Sequence, residues 1–272
     1  MTDMIIVVAV LILICILYVL STSCRRGDDR LGKLYGWKYA HRGLHGNGVP
    51  ENSMLAFRRA RDKGYGVELD VHLLADGNLA IIHDSALERT TGREGRVEDL
   101  TTEQLSEYYL EGTMQTIPTF SDVLAMFDGR VPLIVELKAV GKNYPELCEK
   151  ACKMLDGYKG AYCLESFDPR CVYWLRKNRP DLIRGQLTEN FFKSKTSTLP
   201  WIIKCVLTNQ MLNFLTKPDF VAYKFADRGH FSNAIVRKLW RVPSVTWTLI
   251  SQKEFDTAVA EKSIPIFEGF EP

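Results

Sequence analysis

The stretch from Gly64 to Asp84, GYGVELDVHLLADGNLAIIHD, constrains the fold more than any other part of the chain. Glu68 and Asp70 stand two apart in an apolar run. Strand residues two apart point to the same face, so both carboxylates can address one cation. A second apolar run, Leu79 to Ile82, delivers His83 and Asp84 at its end. Between the runs lies Leu73 to Asn78, with the hairpin-type dipeptide Asp76-Gly77. That gap is too short for a parallel crossover, which needs about a dozen residues. A β-hairpin therefore returns a histidine beside a carboxylate pair, an arrangement suited to metal-assisted hydrolysis.

Composition sets bounds. With 46% apolar and 25% charged residues, the chain has the make-up of an ordinary globular protein. A net charge of +2 and the lack of a basic stripe give no footprint for nucleic acid. The seven cysteines are odd in number and lack metal-type spacing, which speaks against a complete disulfide framework and for a reducing compartment. Cys148 and Cys152 share a helix face with Leu147, Ala151 and Leu155 and read as core packing.

The N-terminus differs from the rest. Met4 to Leu20 is an unbroken apolar run, at the short end of what spans a bilayer. A cleaved signal peptide starts with a basic segment, whereas Met1, Thr2 and Asp3 precede this run. Basic residues follow it: Arg25, Arg26, Arg30 and Lys33, with Asp28 and Asp29 among them. The positive-inside rule then puts the C-terminal side in the cytoplasm. Residues 1–22 are thus expected to be a retained single-pass anchor, 23–36 a juxtamembrane linker and 37–272 a cytoplasmic catalytic domain.

That domain has roughly 235 residues, close to the ~250 typical of a (β/α)₈ barrel. Trp37 to His41 reads as a first strand, followed by a Gly-rich loop from Gly43 to Gly48. Asn52 is a good N-cap for a helix running to Lys63, with Gly64 as its stop and Ala56, Phe57 and Ala60 as its buried stripe. After the hairpin the strand rhythm lapses over residues 85–119, which contain a short helix near Thr102 to Tyr109 with a Thr101/Gln104 capping signal. This is long for a connection and is expected to be a small insertion over the barrel mouth. Alternation then resumes with strands at Pro132 to Lys138, Ala161 to Ser166, Ile183 to Leu187, Phe220 to Lys224, Val245 to Leu249 and Ile264 to Phe267. Without the hairpin's second arm this makes eight strands separated by helices, which implies a parallel sheet with helices outside. Length and the even count favour the closed barrel over an open doubly wound sheet.

In a barrel, chemistry sits at the C-terminal ends of the strands. There the sequence puts His41-Arg42, Glu68 and Asp70, Glu136 and Lys138, Glu165-Ser166-Phe167, Trp247, and His83-Asp84. Taken singly, each has a plain structural explanation. Together on one rim they do not, because buried charges must be paired or metal-bound. Ser166 lacks the G-x-S-x-G surroundings of a serine hydrolase.

Several of these pieces, in this order, resemble the glycerophosphodiester phosphodiesterase family. They are His41-Arg42-Gly43, Pro50-Glu51-Asn52-Ser53, Glu68-Leu69-Asp70-Val71, and His83-Asp84 with Leu87, Arg89 and Thr90-Thr91-Gly92 behind it. Glu136-Leu137-Lys138, Ser166-Phe167 and Thr246-Trp247-Thr248 complete the match. Two departures stand out. Ser53 replaces the usual Thr, and the last strand, ending Phe267-Glu268-Gly269, lacks the usual Thr-Asp.

The resemblance implies a TIM barrel that cleaves glycerophosphodiesters to glycerol 3-phosphate and an alcohol. Glu68, Asp70 and Glu136 are hard oxygen donors suited to one divalent cation, Mg²⁺ or Ca²⁺. Arg42 and Lys138 are expected on the phosphate, and Glu51 as a further ligand or a supporting acceptor. His41 and His83 are expected to share acid and base work, in an order left open. Phe167 and Trp247 are expected to pack on the glycerol or the departing alcohol. Phe191 to Leu215, with Leu199-Pro200-Trp201-Ile202-Ile203, reads either as ordinary barrel helices or as a membrane-dipping lid that admits lysophospholipids.

Overall fold

The computed structural model describes residues 1–25, 29–195 and 197–272. Arg26 and Asp28 of the expected basic flank, and Thr196 of the expected lid, lie outside the described residues. The chain opens with helix α1 (Thr2–Ser21), which is long and apolar enough to cross a membrane and has no buried residue. Strand β1 (Tyr39–His41), helix α2 (Met54–Asp62), strands β2 (Gly66–Leu73) and β3 (Leu79–Ile81), and the single turn α3 (Glu88–Thr91) follow. Helix α4 (Phe120–Phe127), strand β4 (Leu133–Leu137), helix α5 (Tyr144–Leu155), strand β5 (Tyr162–Ser166), helix α6 (Pro169–Asn178) and strand β6 (Arg184–Thr188) come next. Helices α7 (Trp201–Thr208) and α8 (Asn213–Thr216) lead to strand β7 (Phe220–Lys224). Helix α9 (Phe231–Lys238), strand β8 (Ser244–Leu249), helix α10 (Gln252–Ala260) and strand β9 (Ile264–Phe267) complete the order.

Among the described residues, eight parallel strands close into a barrel in the order β1-β9-β8-β7-β6-β5-β4-β2, with β1 pairing back to β2. The hairpin is present: β3 runs antiparallel to β2, with Val71 opposite Ile81. It takes up the end of β2 beyond the part that β1 covers, since β1 stops at His41 opposite Glu68. The two-residue period of a strand sorts β2 cleanly. Val67, Leu69 and Val71 join the core under the helices, while Glu68 and Asp70 face the barrel interior.

Deeper in the barrel the filling is apolar, from Tyr39, Ile134, Cys163, Phe220, Ala222, Ile264 and Ile266. Gly185 is required here, because a Cβ would fall 2.2 Å from the Phe220 ring. Leu31 and Leu34, on a 3₁₀ turn from Asp29 to Leu34, are buried in the same cluster. The stretch expected as a linker therefore plugs the barrel, because its two leucines cover apolar surface that water would otherwise meet.

Local capping follows the sequence in most places. Asp168 accepts from the Arg170 N–H ahead of Pro169 at the start of α6, and Ser251 caps α10. At α2 the expected N-cap is corrected. Ser53, not Asn52, accepts from the Ala56 N–H at 3.1 Å. Asn52 has turned into the left-handed region at φ 52° and donates from Nδ2 to Asp70 Oδ2 at 2.8 Å. The insertion over residues 85–119 is also present, with Leu87, Val97, Leu100, Leu105, Leu110 and Ile117 packed on Leu74, Ala80 and Ile82. Its expected helix is a 3₁₀ turn, Glu103–Glu107, and Gln104 accepts from the Thr101 N–H.

Candidate active site

The site grows from three adjacent strands. Asp70 on β2 pairs in register with Glu136 on β4, and Glu136 with Glu165 on β5. Carboxylate oxygens of Glu68, Asp70 and Glu136 lie within 4.8 Å of one another, and all three residues are buried. Like charges so close must be compensated. Lys138, just past the end of β4, reaches Asp70 Oδ1 at 3.0 Å and Glu136 Oε1 at 2.8 Å. Burial works against the Lys138 ammonium, but Asp70 and Glu136 hold its pKa above the ordinary value. Burial disfavours the Asp70 carboxylate as well, yet Lys138, His83 and Arg42 hold its pKa well below the usual range. Glu68 goes the other way: burial, and then Asp70 and Glu136, push its pKa well up. Glu136 is raised by burial and then by Asp70, against the pull of Lys138. Glu165 is raised by burial and by Glu136, and its Oε2 meets no donor among the described residues. The protein's own cations thus leave part of this acidic charge unmatched. A set of hard oxygen donors with surplus negative charge fits a divalent cation.

One wall is built by β1 and the turn after it. His41 Nδ1 lies 2.5 Å from Glu268 Oε2, and its Nε2 lies 3.8 Å from Glu68 Oε2. Burial lowers the His41 pKa despite the bond to Glu268. That bond holds the Glu268 carboxyl down at about 2. Arg42 sits at φ 53°, a conformation that costs a non-glycine residue about 1 kcal/mol or more. Several contacts hold it there. Its N–H donates to Glu68 Oε2 at 3.2 Å, its carbonyl accepts from Asn52, and Nη1 donates to both oxygens of Glu51. Gly43 follows at φ 80°, where a Cβ would fall 2.9 Å from Ala56. Glu51 also accepts from Arg89 Nη2 at 2.6 Å, so its oxygens are occupied by two guanidinium groups.

The opposite wall comes from the hairpin. His83 Nδ1 lies 2.6 Å from Asp84 Oδ1, and Arg89 pairs with the other oxygen of Asp84. His72, buried at the end of β2, lies 2.7 Å from Glu98 and 3.2 Å from the His83 carbonyl. Across the mouth, Phe167 and Trp247 meet edge to face with centroids 5.5 Å apart. Trp247 Nε1 is buried and finds no acceptor among the described residues.

His41, Arg42, Glu68, His83, Glu136, Phe167 and Trp247 line a single cavity, with Glu165 beside them. Asp70 and Lys138 lie against it through their ion pairs, and Glu51 stands behind Arg42. The proposed acid–base, metal-ligand and phosphate-binding residues therefore gather at one mouth. A larger cleft of about 560 Å³ opens beside Glu268, lined by His45, Arg59 and Lys63 among others and by none of Glu68, Asp70 and Glu136.

Sequence reasoning missed Glu268, His72 and Glu98. The last strand lacks the usual Thr-Asp ending, yet the Glu268 that follows it is the partner of His41. An acidic residue at the end of a barrel strand was a usable signal, because the strand that closes the barrel must lie beside the first. His72 stands two residues beyond Asp70 and so shares its strand face.

Comparison with known proteins bears on the family and the fold. The family model described as "Glycerophosphoryl diester phosphodiesterase family" matches residues 41–237. A glycerophosphodiester phosphodiesterase of Bacillus altitudinis is 40% identical over 130 residues, 44% of this chain and 53% of that protein. One from Caldanaerobacter subterraneus subsp. tengcongensis is 35% identical over 158 residues, 54% of this chain and 65% of that protein. The chain thus spans about half to two thirds of the length of these curated relatives. Among solved structures, a phosphodiesterase of Oleispira antarctica in complex with the product sn-glycerol-3-phosphate superposes with a TM-score of 0.71 at 19% identity, covering 85% of this chain and 92% of that one. A Thermotoga maritima glycerophosphodiester phosphodiesterase gives 0.64 at 20% identity, covering 85% and 93%. At such identities these structures speak for the fold.

Proposed function

Because the chain belongs to the glycerophosphoryl diester phosphodiesterase family, we propose that its barrel mouth hydrolyses glycerophosphodiesters to glycerol 3-phosphate and an alcohol. The observation that carries this reading is the convergence of Glu68, Asp70 and Glu136 within 4.8 Å, in a cavity lined by both His41 and His83. Glu68, Asp70 and Glu136 hold one divalent cation, Mg²⁺ or Ca²⁺. When bound, such an ion neutralises a phosphate oxygen and helps to orient the nucleophile.

The chain's own groups do the rest. Arg42, fixed by Glu51 and by its backbone bond to Glu68, presents a planar set of donors to the phosphate. Lys138 balances Asp70 and Glu136 and adds a point charge beside the phosphate. With Nδ1 of His41 held by Glu268, its Nε2 is left for the nucleophile's proton. The lowered pKa keeps that nitrogen unprotonated near neutral pH. His83, held through Nδ1 by Asp84, uses Nε2 to protonate the alkoxide as the phosphorus–oxygen bond breaks. Phe167 and Trp247 pack on the glycerol or the departing alcohol. Helix α1 anchors the enzyme in a membrane, with Arg25, Arg30 and Lys33 on the cytoplasmic side.

A phosphorus NMR assay across several glycerophosphodiesters, with Mg²⁺ and Ca²⁺ compared, tests the reading. Glycerol 3-phosphate should accumulate, directly or through a cyclic phosphate, and exhaustive chelation should abolish it. No turnover of any diester with either ion overturns the proposal; full activity after chelation removes the cation from it.

A further inference from the structure

Helix α1 is not tethered loosely. Trp240 Nε1 donates to Thr22 Oγ1 at 3.0 Å, and Lys217 Nζ to Ser23 Oγ at 2.6 Å. Asn213 Nδ2 contacts Cys24 Sγ at 3.4 Å, and the Arg25 N–H donates to the Pro218 carbonyl. Thr22, Ser23 and Cys24 are buried. One turn earlier, Tyr18 packs on the Phe231 ring and donates to the Asn209 carbonyl. Phe231 opens α9 just after the C-terminal end of β7, whereas Trp240 lies past its other end. Passing from Thr22 back to Tyr18, α1 therefore climbs along α9 from the plugged end of the barrel towards the mouth, and its apolar length continues beyond.

Helix α7 stands on that same side. Leu207, near its end, accepts from Thr188 Oγ1 at the C-terminal end of β6, and Thr208 accepts from Ser232 at the start of α9. Its opening residues, Trp201 and Ile202, are 70% and 67% exposed, and Phe192, Ile203 and Phe231 are exposed with them. Exposed apolar residues grouped in this way mark an interaction surface. An aromatic line connects the surface to the site. Trp247 meets Phe167, Phe167 meets Phe191 at 6.1 Å, and neighbouring Phe192 meets Trp201 at 6.3 Å. From Phe191 to Lys204 the sequence has three lysines and no acidic residue.

We propose that this surface docks in the interface of the leaflet that α1 enters, so that the catalytic mouth opens onto the bilayer and takes a glycerophosphodiester bearing one acyl chain. The occupant is lipid because the surface continues the span of α1, carries an interfacial tryptophan, and bears lysines that suit anionic headgroups. The choice of substrate rests on the phosphodiesterase reading; the docking does not.

The test uses the full chain in nanodiscs of phosphatidylcholine and phosphatidylglycerol with acyl chains brominated near the headgroup. Bromine should quench Trp201, so the quenched part of the emission should fall by more than half in Trp201→Phe. Equal quenching in the two proteins overturns the docking. In the second arm, an Ile202→Ser/Ile203→Ser variant should lose about tenfold in kcat/KM on a lysophospholipid in the same discs and keep its rate on water-soluble glycerophosphocholine. Equal rates on the lysophospholipid overturn the substrate assignment. Should the native chain turn over neither diester, the phosphodiesterase reading falls, and quenching still decides the docking.

Discussion

The two imidazoles of the mouth are each backed by a carboxylate, but they are built differently. His83 takes its partner from the next residue, Asp84, and its side chain is 30% exposed. His41 takes Glu268 from the far end of the chain, and its side chain is 13% exposed. The first pair is a local event at the end of a hairpin. The second exists only once β9 lies beside β1 and the barrel has closed. Burial then lowers the pKa of His41, which suits that ring to accepting a proton.

The most direct way to break this contrast is to remove each ring. His41→Ala and His83→Ala should each lower kcat by roughly 10²–10⁴-fold, the range for losing a positioned acid or base. Their substrates should separate them. A diester with a highly acidic leaving alcohol needs no protonation on departure, so it should rescue His83→Ala and leave His41→Ala slow. Rescue of His41→Ala alone would exchange the two roles.

A smaller effect sharpens the comparison. Glu268→Gln and Asp84→Asn should each cost on the order of 10–100-fold, as losing the partner that orients a functional histidine does. Only the first should move the acidic limb of the pH profile. The bond to Glu268 raises the His41 pKa against burial, so its loss lowers that pKa and shifts the limb to lower pH. An unmoved limb in Glu268→Gln would mean that His41 is not the group being titrated.

The smallest effect is on acid stability. The Glu268 carboxyl is held at about 2 in the folded protein against an ordinary 4.5. Its contribution is complete above pH 4.5 and is lost as pH falls towards 2, because there the unfolded chain takes up the proton that the folded one resists. Thermal melts of Glu268→Gln should therefore fall less steeply over that window than those of the native chain. Parallel curves would mean that the pair adds nothing to stability.

How much of the site was legible depends on the range of the signal. Glu68-x-Asp70 could be read because strand period and hairpin turn lie within a few residues of each other. The choice between Asn52 and Ser53 as the cap of α2 could not, because both suit the position. What decides it is Asp70 on β2, which draws the Asn52 amide inward and leaves the cap to Ser53. Leu31 and Leu34 look like part of a polar linker until the open end of the barrel is there to receive them.

Local periodicity alone determined the eight barrel strands, the inward carboxylates, the hairpin that returns His83, and an N-terminal run long enough to cross a bilayer. Each of these follows from spacing, chain stiffness and the burial of apolar faces over short stretches. Tertiary structure decided which ends meet: Glu268 with His41, the leucine plug with the barrel floor, and the base of α1 with α9. Those contacts join residues far apart in the chain, and their free energy is released only when the barrel closes, so no short-range spacing encodes them.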